Sequence, residues 1–175
     1  RSRLPLSAES ELEAISGVEQ ATAIGALITT TSSVPGGADL AVMGFVHEAD
    51  PAGVPGTVLE GRLPSPEEPS GVAVDEALAD AGLGLGTTLE VGGVTETVVG
   101  VVGDAGYQGL PTAWTSLDTY ADMRTAVRPE FAGQPVEPSV FGLALAVGVT
   151  ADQISPPAGI AVASTEETYL SIPGT

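Results

Sequence analysis

Apolar and polar residues along the chain fall into short stretches with either strand-like or helix-like spacing. The stretch from Val18 to Thr31 is rich in Ile and Thr and predicts a long strand. Val34-Pro35-Gly36-Gly37 predicts a turn, and Asp39 to Glu48 predicts a second strand. The two strands are therefore expected to pair as a hairpin.

Three segments have the spacing and end residues of short helices. Ser7–Gly17 begins with a residue that can cap a helix, carries acids in its first turn and ends in glycine. The helix Asp75–Ala81 is predicted to be capped by its first residue and stopped by Gly82. Ser116 is predicted to cap a third helix over Leu117–Ala126.

The middle of the chain predicts a second β-hairpin. Thr87–Val91 and Val94–Val102 are separated by Gly92-Gly93, which is favoured in a two-residue turn because glycine accepts positive φ. Val72–Val74 predicts a short strand before it. Asp50–Ser70 is rich in Pro, Gly and acids, and we interpret it as a crossing segment between subdomains.

The remaining segments complete an α+β pattern. Ala113–Thr115 predicts a strand, Phe141–Val149 a buried strand and Ile160–Ala163 a final strand. Ser164 is expected to cap a last helix that runs through Leu170. Helices and strands are therefore interleaved with local hairpins, which indicates the α+β class.

The net charge of −18 arises because 23 acidic residues stand against only 5 Lys and Arg. A surface of this sign repels phosphate backbones, so nucleic acid is excluded as a partner class. It also disfavours adhesion to anionic lipid, because no basic patch is available to neutralise the headgroups. The general interpretation of such acidity is solubility.

The chain contains no cysteine, which excludes disulfides and thiolate metal sites. It begins at Arg1 without a leader pattern. Its longest apolar run, Phe141–Val149, is far shorter than the roughly 20 residues of a membrane helix. We therefore expect a soluble piece of a longer protein, with any membrane segments beyond its two ends.

No catalytic, cofactor-binding or metal-binding residues are predicted. Gly82-Leu83-Gly84-Leu85-Gly86 follows a helix and precedes a strand, the reverse of a phosphate-binding loop, and favours a helix end and turn. His47 is the single histidine, so a zinc site lacks ligands, and a surface position at a strand end is expected. The acidic pairs, such as Glu67-Glu68 and Glu166-Glu167, are expected to be solvated.

The loop from Asp104 to Pro111 differs from the other loops because it brings aromatic residues beside glycine. Tyr107 and Leu110 lie in this loop, and Trp114 follows it as the single tryptophan. Aromatic residues on a loop can anchor a partner protein, so these three residues are the predicted partner contact. The alternative is that Trp114 fills a small core.

Four consecutive stretches and the start of the chain carry a family resemblance. In order and spacing they resemble the MacB-like periplasmic core domain of MacB/FtsX-like ABC-transporter permeases. The stretches are Leu59-Glu60-Gly61-Arg62-Leu63-Pro64, Gly71–Ala79, Leu83–Gly93 and Thr97–Val102, and the start is Ile15-Ser16-Gly17-Val18-Glu19-Gln20-Ala21.

The resemblance implies a mixed porter-like subdomain with an inserted, β-rich, sabre-like subdomain. The expected boundaries are 1–60 and 112–175 for the porter-like part and 61–111 for the sabre-like part. Because both chain ends would return to the membrane, the terminal segments should pack together while the middle projects outward. The family has no catalytic residue in this domain, so no active site is implied.

The function that the resemblance implies is mechanical. The chain would form the extracytoplasmic part of a multi-pass permease in the cell membrane. It would engage a substrate or partner protein and relay motion driven by a cognate ATP-binding subunit. The isolated piece is expected to be monomeric.

Two alternative functions remain open. One is a secreted hydrolase with a carboxylate-based site, recognised by a cleft with two acids, and the other is a cell-surface adhesion module without a transport role.

Overall fold

A mixed β-sheet organises the computed structural model, which describes residues 7–45, 52–55, 57–103, 105–157 and 161–162. Within these residues the sheet has eight strands, accompanied by three α-helices and two short 3₁₀ helices. The strands are β1 Val18–Thr31, β2 Ala38–Phe45, β3 Val58–Gly61, β4 Val72–Asp75, β5 Thr88–Val91, β6 Val94–Val102, β7 Thr112–Ser116 and β8 Val140–Leu145. The helices are α1 Ala8–Glu13, α2 Glu76–Asp80, α3 Leu117–Val127 and the 3₁₀ helices Pro129–Phe131 and Ala151–Gln153.

The strand order is β3-β6-β4-β7-β2-β1-β8, with β5 paired to β6 beside this path. The pairs β2–β7 and β4–β6 are parallel, while the other strand pairs are antiparallel. The predicted α+β class with a mixed sheet is therefore confirmed.

Both predicted hairpins are present. β1 and β2 pair antiparallel, with Ile24 opposite Phe45 at one end of the register. β5 and β6 are joined by Gly92 and Gly93, whose φ angles are 61° and 88°. Both glycines thus take the positive φ that a tight two-residue hairpin turn requires.

Of the three predicted helix caps that fall within the described residues, two form. Asp75 Oδ1 accepts a hydrogen bond from the Leu78 backbone N–H at 3.0 Å, at the start of α2. Ser116 Oγ accepts one from the Thr119 N–H at 3.0 Å, at the start of α3. The predicted cap at Ser7 is wrong, because this side chain makes no capping hydrogen bond and its backbone is already helical.

The two faces of the sheet carry separate apolar clusters, because successive residues of a strand point to opposite faces. In β2, Leu40 and Val42 join the cluster beneath α2 and α3, while Met43 joins the cluster on the opposite face. The helix-covered cluster contains Leu27, Val34, Leu40, Val42, Val72, Val74, Leu78, Leu83, Leu89, Val91, Val98, Val101, Ala113, Tyr120 and Met123. The opposite cluster contains Ile24, Ala41, Met43, Phe45, Ala73, Val102, Ala105 and Trp114.

Strand β3 lies inside Asp50–Ser70, which the sequence predicted only as a crossing segment. All four of its residues are exposed, so the strand shows no alternation of buried and exposed positions. It forms because β6 offers backbone partners at the sheet edge, and Gly61 lies opposite Gly100. A strand that forms through backbone pairing with its neighbour, without burying its own side chains, has no pattern of apolar and polar residues that would predict it.

The prediction of a buried strand over Phe141–Val149 is wrong in two respects. β8 ends at Leu145, and only Gly142 within it is buried. The strand is an edge of the described sheet and pairs there with β1. Burial depends on position in the sheet, which a short apolar run does not encode.

Other predictions for the last third of the chain fall partly outside the described residues. Ala161 and Val162 are described and belong to no strand, so the predicted strand Ile160–Ala163 is not seen at these two positions. The predicted helix from Ser164 through Leu170 lies outside the described residues.

The sheet runs without a break across the predicted subdomain boundaries at 61 and 111. Strands β4 and β6 lie within 61–111, yet β4 pairs with β7 of the following segment. The helix-covered cluster likewise combines residues of 61–111 with Leu27 and Val42 of the first segment. The sheet and this cluster are thus shared by the two parts, and the porter-like and sabre-like division stays a prediction.

Helix α3 packs on the sheet through one aromatic ring above two glycines. Gly25 and Gly44 are directly opposite each other on β1 and β2. A Cβ atom added at Gly44 would lie 2.2 Å from the Tyr120 Cβ, and one added at Gly25 would lie 2.5 Å from the Tyr120 Cε1. The buried Tyr120 ring therefore occupies the space that side chains on this pair of residues would need.

Replacing Gly44 with alanine is expected to lower the free energy of unfolding by about 2–3 kcal/mol, because the Tyr120 side chain cannot yield without moving α3. Chemical denaturation followed by the fluorescence of Trp114 measures this change. Gly84→Ala is the matched control, since a Cβ there meets no atom within 4 Å. Equal stabilities of the two variants would contradict this description of the α3 interface.

Candidate partner-binding site

The predicted partner loop forms a miniature hairpin. The Tyr107 N–H donates to the Leu110 carbonyl at 3.2 Å, and the Leu110 N–H donates to the Tyr107 carbonyl at 2.9 Å. Gln108 and Gly109 close the turn with φ angles of 52° and 74°. The turn thus needs the left-handed region twice, which glycine adopts freely and Gln108 adopts less readily.

Tyr107 and Leu110 are half-buried and pack on the apolar cluster opposite the helices. Trp114 belongs to this cluster and is only 2% exposed. Its ring meets Phe45 edge to face, with ring centroids 6.4 Å apart. The alternative prediction, that Trp114 fills a core, is therefore correct, and its ring is not available for a partner at the surface. A partner contact by Tyr107 and Leu110 stays a prediction.

A buried hydrogen-bond network holds both ends of this loop. Thr112 Oγ1 donates to the carbonyl oxygen of Ala105 and accepts a hydrogen bond from Trp114 Nε1 at 3.2 Å. The Thr112 N–H donates to Asp75 Oδ2 at 2.8 Å. Because Ala105 precedes the Tyr107–Leu110 hairpin and Thr112 follows it, the network fixes both ends of this hairpin.

Asp75 has a second role that its sequence position did not reveal. The sequence identified it as a helix cap, but one carboxylate oxygen caps α2 while the other holds the start of β7. Burial raises the pKa of the Asp75 carboxyl, and the hydrogen bonds from Leu78 and Thr112 act in the opposite direction. Burial also raises the pKa of the Tyr107 hydroxyl.

Two of the family-like sequence stretches meet in space at a close backbone approach. Gly100 of β6 lies opposite Gly61 of β3, and a Cβ added at Gly100 would lie 2.0 Å from the Arg62 carbonyl oxygen. The Arg62 N–H donates to the Val99 carbonyl at 2.9 Å. The glycines of the two stretches thus allow the end of β3 and Arg62 to lie close against β6 without side-chain interference.

The Arg62 side chain fastens the loop that follows β3. Its Nε lies 2.6 Å from Glu68 Oε2, and its Nη1 donates to the Glu68 carbonyl at 2.9 Å. Nη2 donates to the Ser70 carbonyl at 3.4 Å. The guanidinium is therefore engaged within its own loop. Arg62, which follows Gly61 in the first family-like stretch, thus has a structural role.

The residue before β1 and the residues after β8 meet at one end of the sheet. The Ala146 N–H donates to the Gly17 carbonyl at 2.9 Å, just before β1 pairs with β8. A Cβ added at Gly17 would lie 3.0 Å from Val149 Cγ1 and 3.6 Å from Ile154 Cδ1. We call this contact region, formed by Gly17, Ala146, Val149 and Ile154, the terminal junction.

The other candidate chemistry has a structural explanation where the residues are described. In Gly82–Gly86, the Leu83 N–H donates to the Leu78 carbonyl at 3.0 Å, which ends α2. Among the described residues no group of three His, Asp or Glu side chains is placed to hold a metal ion. His47, Glu166 and Glu167 lie outside the described residues. None of the helices in the described ranges has the length and apolar character of a membrane span.

The chain belongs to the MacB-like periplasmic core domain family, because the sequence profile of that family matches residues 1–161. The resemblance drawn from the sequence is thereby confirmed. A comparison with curated protein sequences finds no significant match.

Two solved structures share this fold. One is the periplasmic region of MacB from Actinobacillus actinomycetemcomitans, with a TM-score of 0.59, 16% identity, and coverage of 87% of this chain and 69% of that chain. The other is the extracellular domain of the noncanonic ABC-type transporter YknZ from Gram-positive bacteria. It gives a TM-score of 0.58 at 17% identity, covering 86% of this chain and 76% of that chain.

Asp75→Asn is expected to reveal the cost of ionising the buried carboxyl. Because the pKa of Asp75 is raised from 3.8 in the folded state, the folded chain binds more protons than the unfolded chain between 3.8 and the raised value. The stability of the wild type relative to Asp75→Asn should therefore fall as pH rises through this window, by about 1.4 kcal/mol for each unit of pKa shift. Denaturation from pH 3 to 7 measures it, and a rising difference would contradict the direction.

Proposed function

We propose that this chain is the extracytoplasmic domain of an ABC-transporter permease in the cell membrane, where it contacts a substrate or partner protein and relays ATP-driven motion. The observation that supports this most directly is the terminal junction. A domain inserted between two membrane helices needs both of its ends on one side. Gly17 and Ala146 lie side by side, hydrogen-bonded at 2.9 Å, and this proximity supports such an arrangement.

Strand β1 offers a route along which motion can travel away from the junction. Its 14 residues, with a rise of about 3.3 Å from one residue to the next, span roughly 43 Å from Val18 to Thr31. At the far end, Thr31 Oγ1 donates to the Glu90 carbonyl at 2.7 Å, and the Glu90 N–H donates to Ser33 Oγ at 2.8 Å. The β1–β2 hairpin is thus tied to β5 in the middle of the chain, and displacement at one end has a direct path to the other.

The charge of the surface indicates the chemistry of a partner. The formal net charge is −18. Among the described arginines, Arg62 is paired with Glu68, and Arg124 is 8% exposed with its Nη2 donating to the Gln134 carbonyl at 3.1 Å. Arg128, the third, is partly exposed. A partner or substrate carrier with a basic or neutral contact surface is therefore favoured over an acidic one.

The carboxylate-based hydrolase is not favoured by the described acids. Asp75 is the described carboxyl whose pKa is raised, and both of its oxygens accept backbone hydrogen bonds, from Leu78 and Thr112. A carboxyl engaged in this way supports the fold and is poorly placed to exchange a proton with a substrate. The adhesion module remains the alternative, and it differs from our proposal in requiring no coupling to ATP hydrolysis.

A deletion that uses the terminal junction tests the proposed function. In the complete permease, reconstituted with its ATP-binding subunit, residues 18–145 are replaced by a short Gly-Ser linker, which the 2.9 Å hydrogen bond between Gly17 and Ala146 shows to be feasible. We expect basal ATP hydrolysis to persist and transport, or activation of the partner, to fall to background. The exposed-site variant Ile28→Ala serves as the control and should leave both unchanged. Full activity of the deletion variant would contradict the proposal.

The predicted partner contact has a separate test. The double variant Tyr107→Ala, Leu110→Ala removes the half-buried side chains of the loop while the Asp75–Thr112 network at its base remains. Transport or partner activation in the reconstituted permease is expected to fall at least five-fold, with basal ATP hydrolysis retained. Equal activity of this variant and of the control Ile28→Ala would show that Tyr107 and Leu110 make no partner contact needed for transport or partner activation.

A further inference from the structure

Three of the large apolar side chains exposed by the described residues lie on or beside the edge strand β3. Val58 is 41% exposed, Leu59 48% and Leu85 44%. Single exposed apolar residues are ordinary on a protein surface, whereas a cluster of them indicates an interaction site. We call Val58, Leu59 and Leu85 the β3 edge patch.

The backbone geometry shows that the patch is continuous with β3. A Cβ added at Gly61 would lie 2.8 Å from Leu85 Cδ2, so the Leu85 side chain reaches across the end of the strand. A Cβ added at Gly103 would lie 3.6 Å from Leu59 Cδ1, so Leu59 packs beside the neighbouring strand end. Leu85 thus lies beside the end of the strand that carries Leu59, and the last residue of that strand has no side chain.

The strand itself is open to a further partner strand. Among the described strands β3 pairs with β6 alone, and all four of its residues are exposed. An edge strand of this kind can accept an extended peptide by backbone pairing, with side-chain contacts providing selectivity. Glu60 lies within the strand, and Glu67 and Glu68 follow in the next loop, all three exposed.

The negative charge at this edge favours a basic partner strand over a second copy of the chain. A second copy of the chain is disfavoured, because pairing of two β3 strands brings their Glu60 carboxylates close together between molecules of net charge −18. The neighbouring Arg62 does not offset Glu60, since its guanidinium is held by Glu68 at 2.6 Å. An incoming strand with basic side chains meets the opposite electrostatic situation.

We propose that the β3 edge patch binds an extended basic segment of a partner polypeptide. The segment adds to β3 by backbone pairing, places apolar side chains on Leu59 and Leu85, and places Arg or Lys beside Glu60. The inference deepens the proposed function by giving the chemistry of a partner, and it rests on that function only for the partner's location outside the membrane. It concerns a surface separate from the Tyr107–Leu110 loop.

A peptide-binding experiment on the whole 175-residue chain tests the proposal. The probe is a fluorescein-labelled nine-residue peptide of alternating Arg and Val, and binding is measured by fluorescence anisotropy at physiological salt. We expect the wild type to bind it and to leave a Glu/Val peptide of the same length unbound. Glu60→Lys should weaken binding at least ten-fold, and the double variant Leu59→Ser, Leu85→Ser at least five-fold.

The matched controls are Glu11→Lys on α1 and Ile28→Ser on β1, which alter an exposed acid and an exposed apolar residue away from the patch. Each should change the affinity less than two-fold. Equal weakening by Glu11→Lys and Glu60→Lys would show non-specific attraction and overturn the proposal. So would a wild-type dimer in sedimentation that Leu59→Ser dissolves, because the occupant would then be a second copy. None of these outcomes depends on the transport assay, so the two proposals fail separately.

Discussion

Backbone pairing along both edges of β1 is the constraint on which the rest of the molecule depends. One edge pairs with β2 and the other with β8, so the first and last strands of the described chain become neighbours. The start of β1 lies at the terminal junction, and its end ties to β5 through Thr31. Gly25, in the middle of the strand, lies under Tyr120 of α3. One strand thus holds β8, the covering helix and the middle segment in a fixed relation.

Close backbone approach is the second organising feature, and it explains why glycines stand where the family resemblance places them. Gly100 has no room for a Cβ beside the Arg62 carbonyl, and Gly61 has none beside the Val99 carbonyl. Away from the family-like stretches, Gly44 has none beneath Tyr120. In each case the short distance lets an element pack directly on backbone, where even one methyl group would force the elements apart.

The candidate sites show how far residue patterns lead towards function. The aromatic loop was found from composition, because Tyr107 and Trp114 stand out in a chain with few aromatic residues. The sequence did not show that Tyr107 is half-buried while Trp114 belongs to the core. The burial of Trp114 depends on its packing against Phe45, which is far away in the sequence. The β3 edge patch left no sequence signal, since the Leu85 side chain reaches Gly61 at the end of β3 only in the folded chain. The second role of Asp75 likewise depends on β7.

The sequence by itself determined those features that local chemistry controls. These are the caps at Asp75 and Ser116, the Gly92-Gly93 turn, the long β1 strand, the acidic surface and, through ordered motifs, the family. Only the tertiary structure decided the strand order, the existence of β3, the partial burial of β8 and the meeting of Gly17 with Ala146. The physical reason is range: caps and turns involve hydrogen bonds within a few residues, whereas strand pairing and burial join segments tens of residues apart.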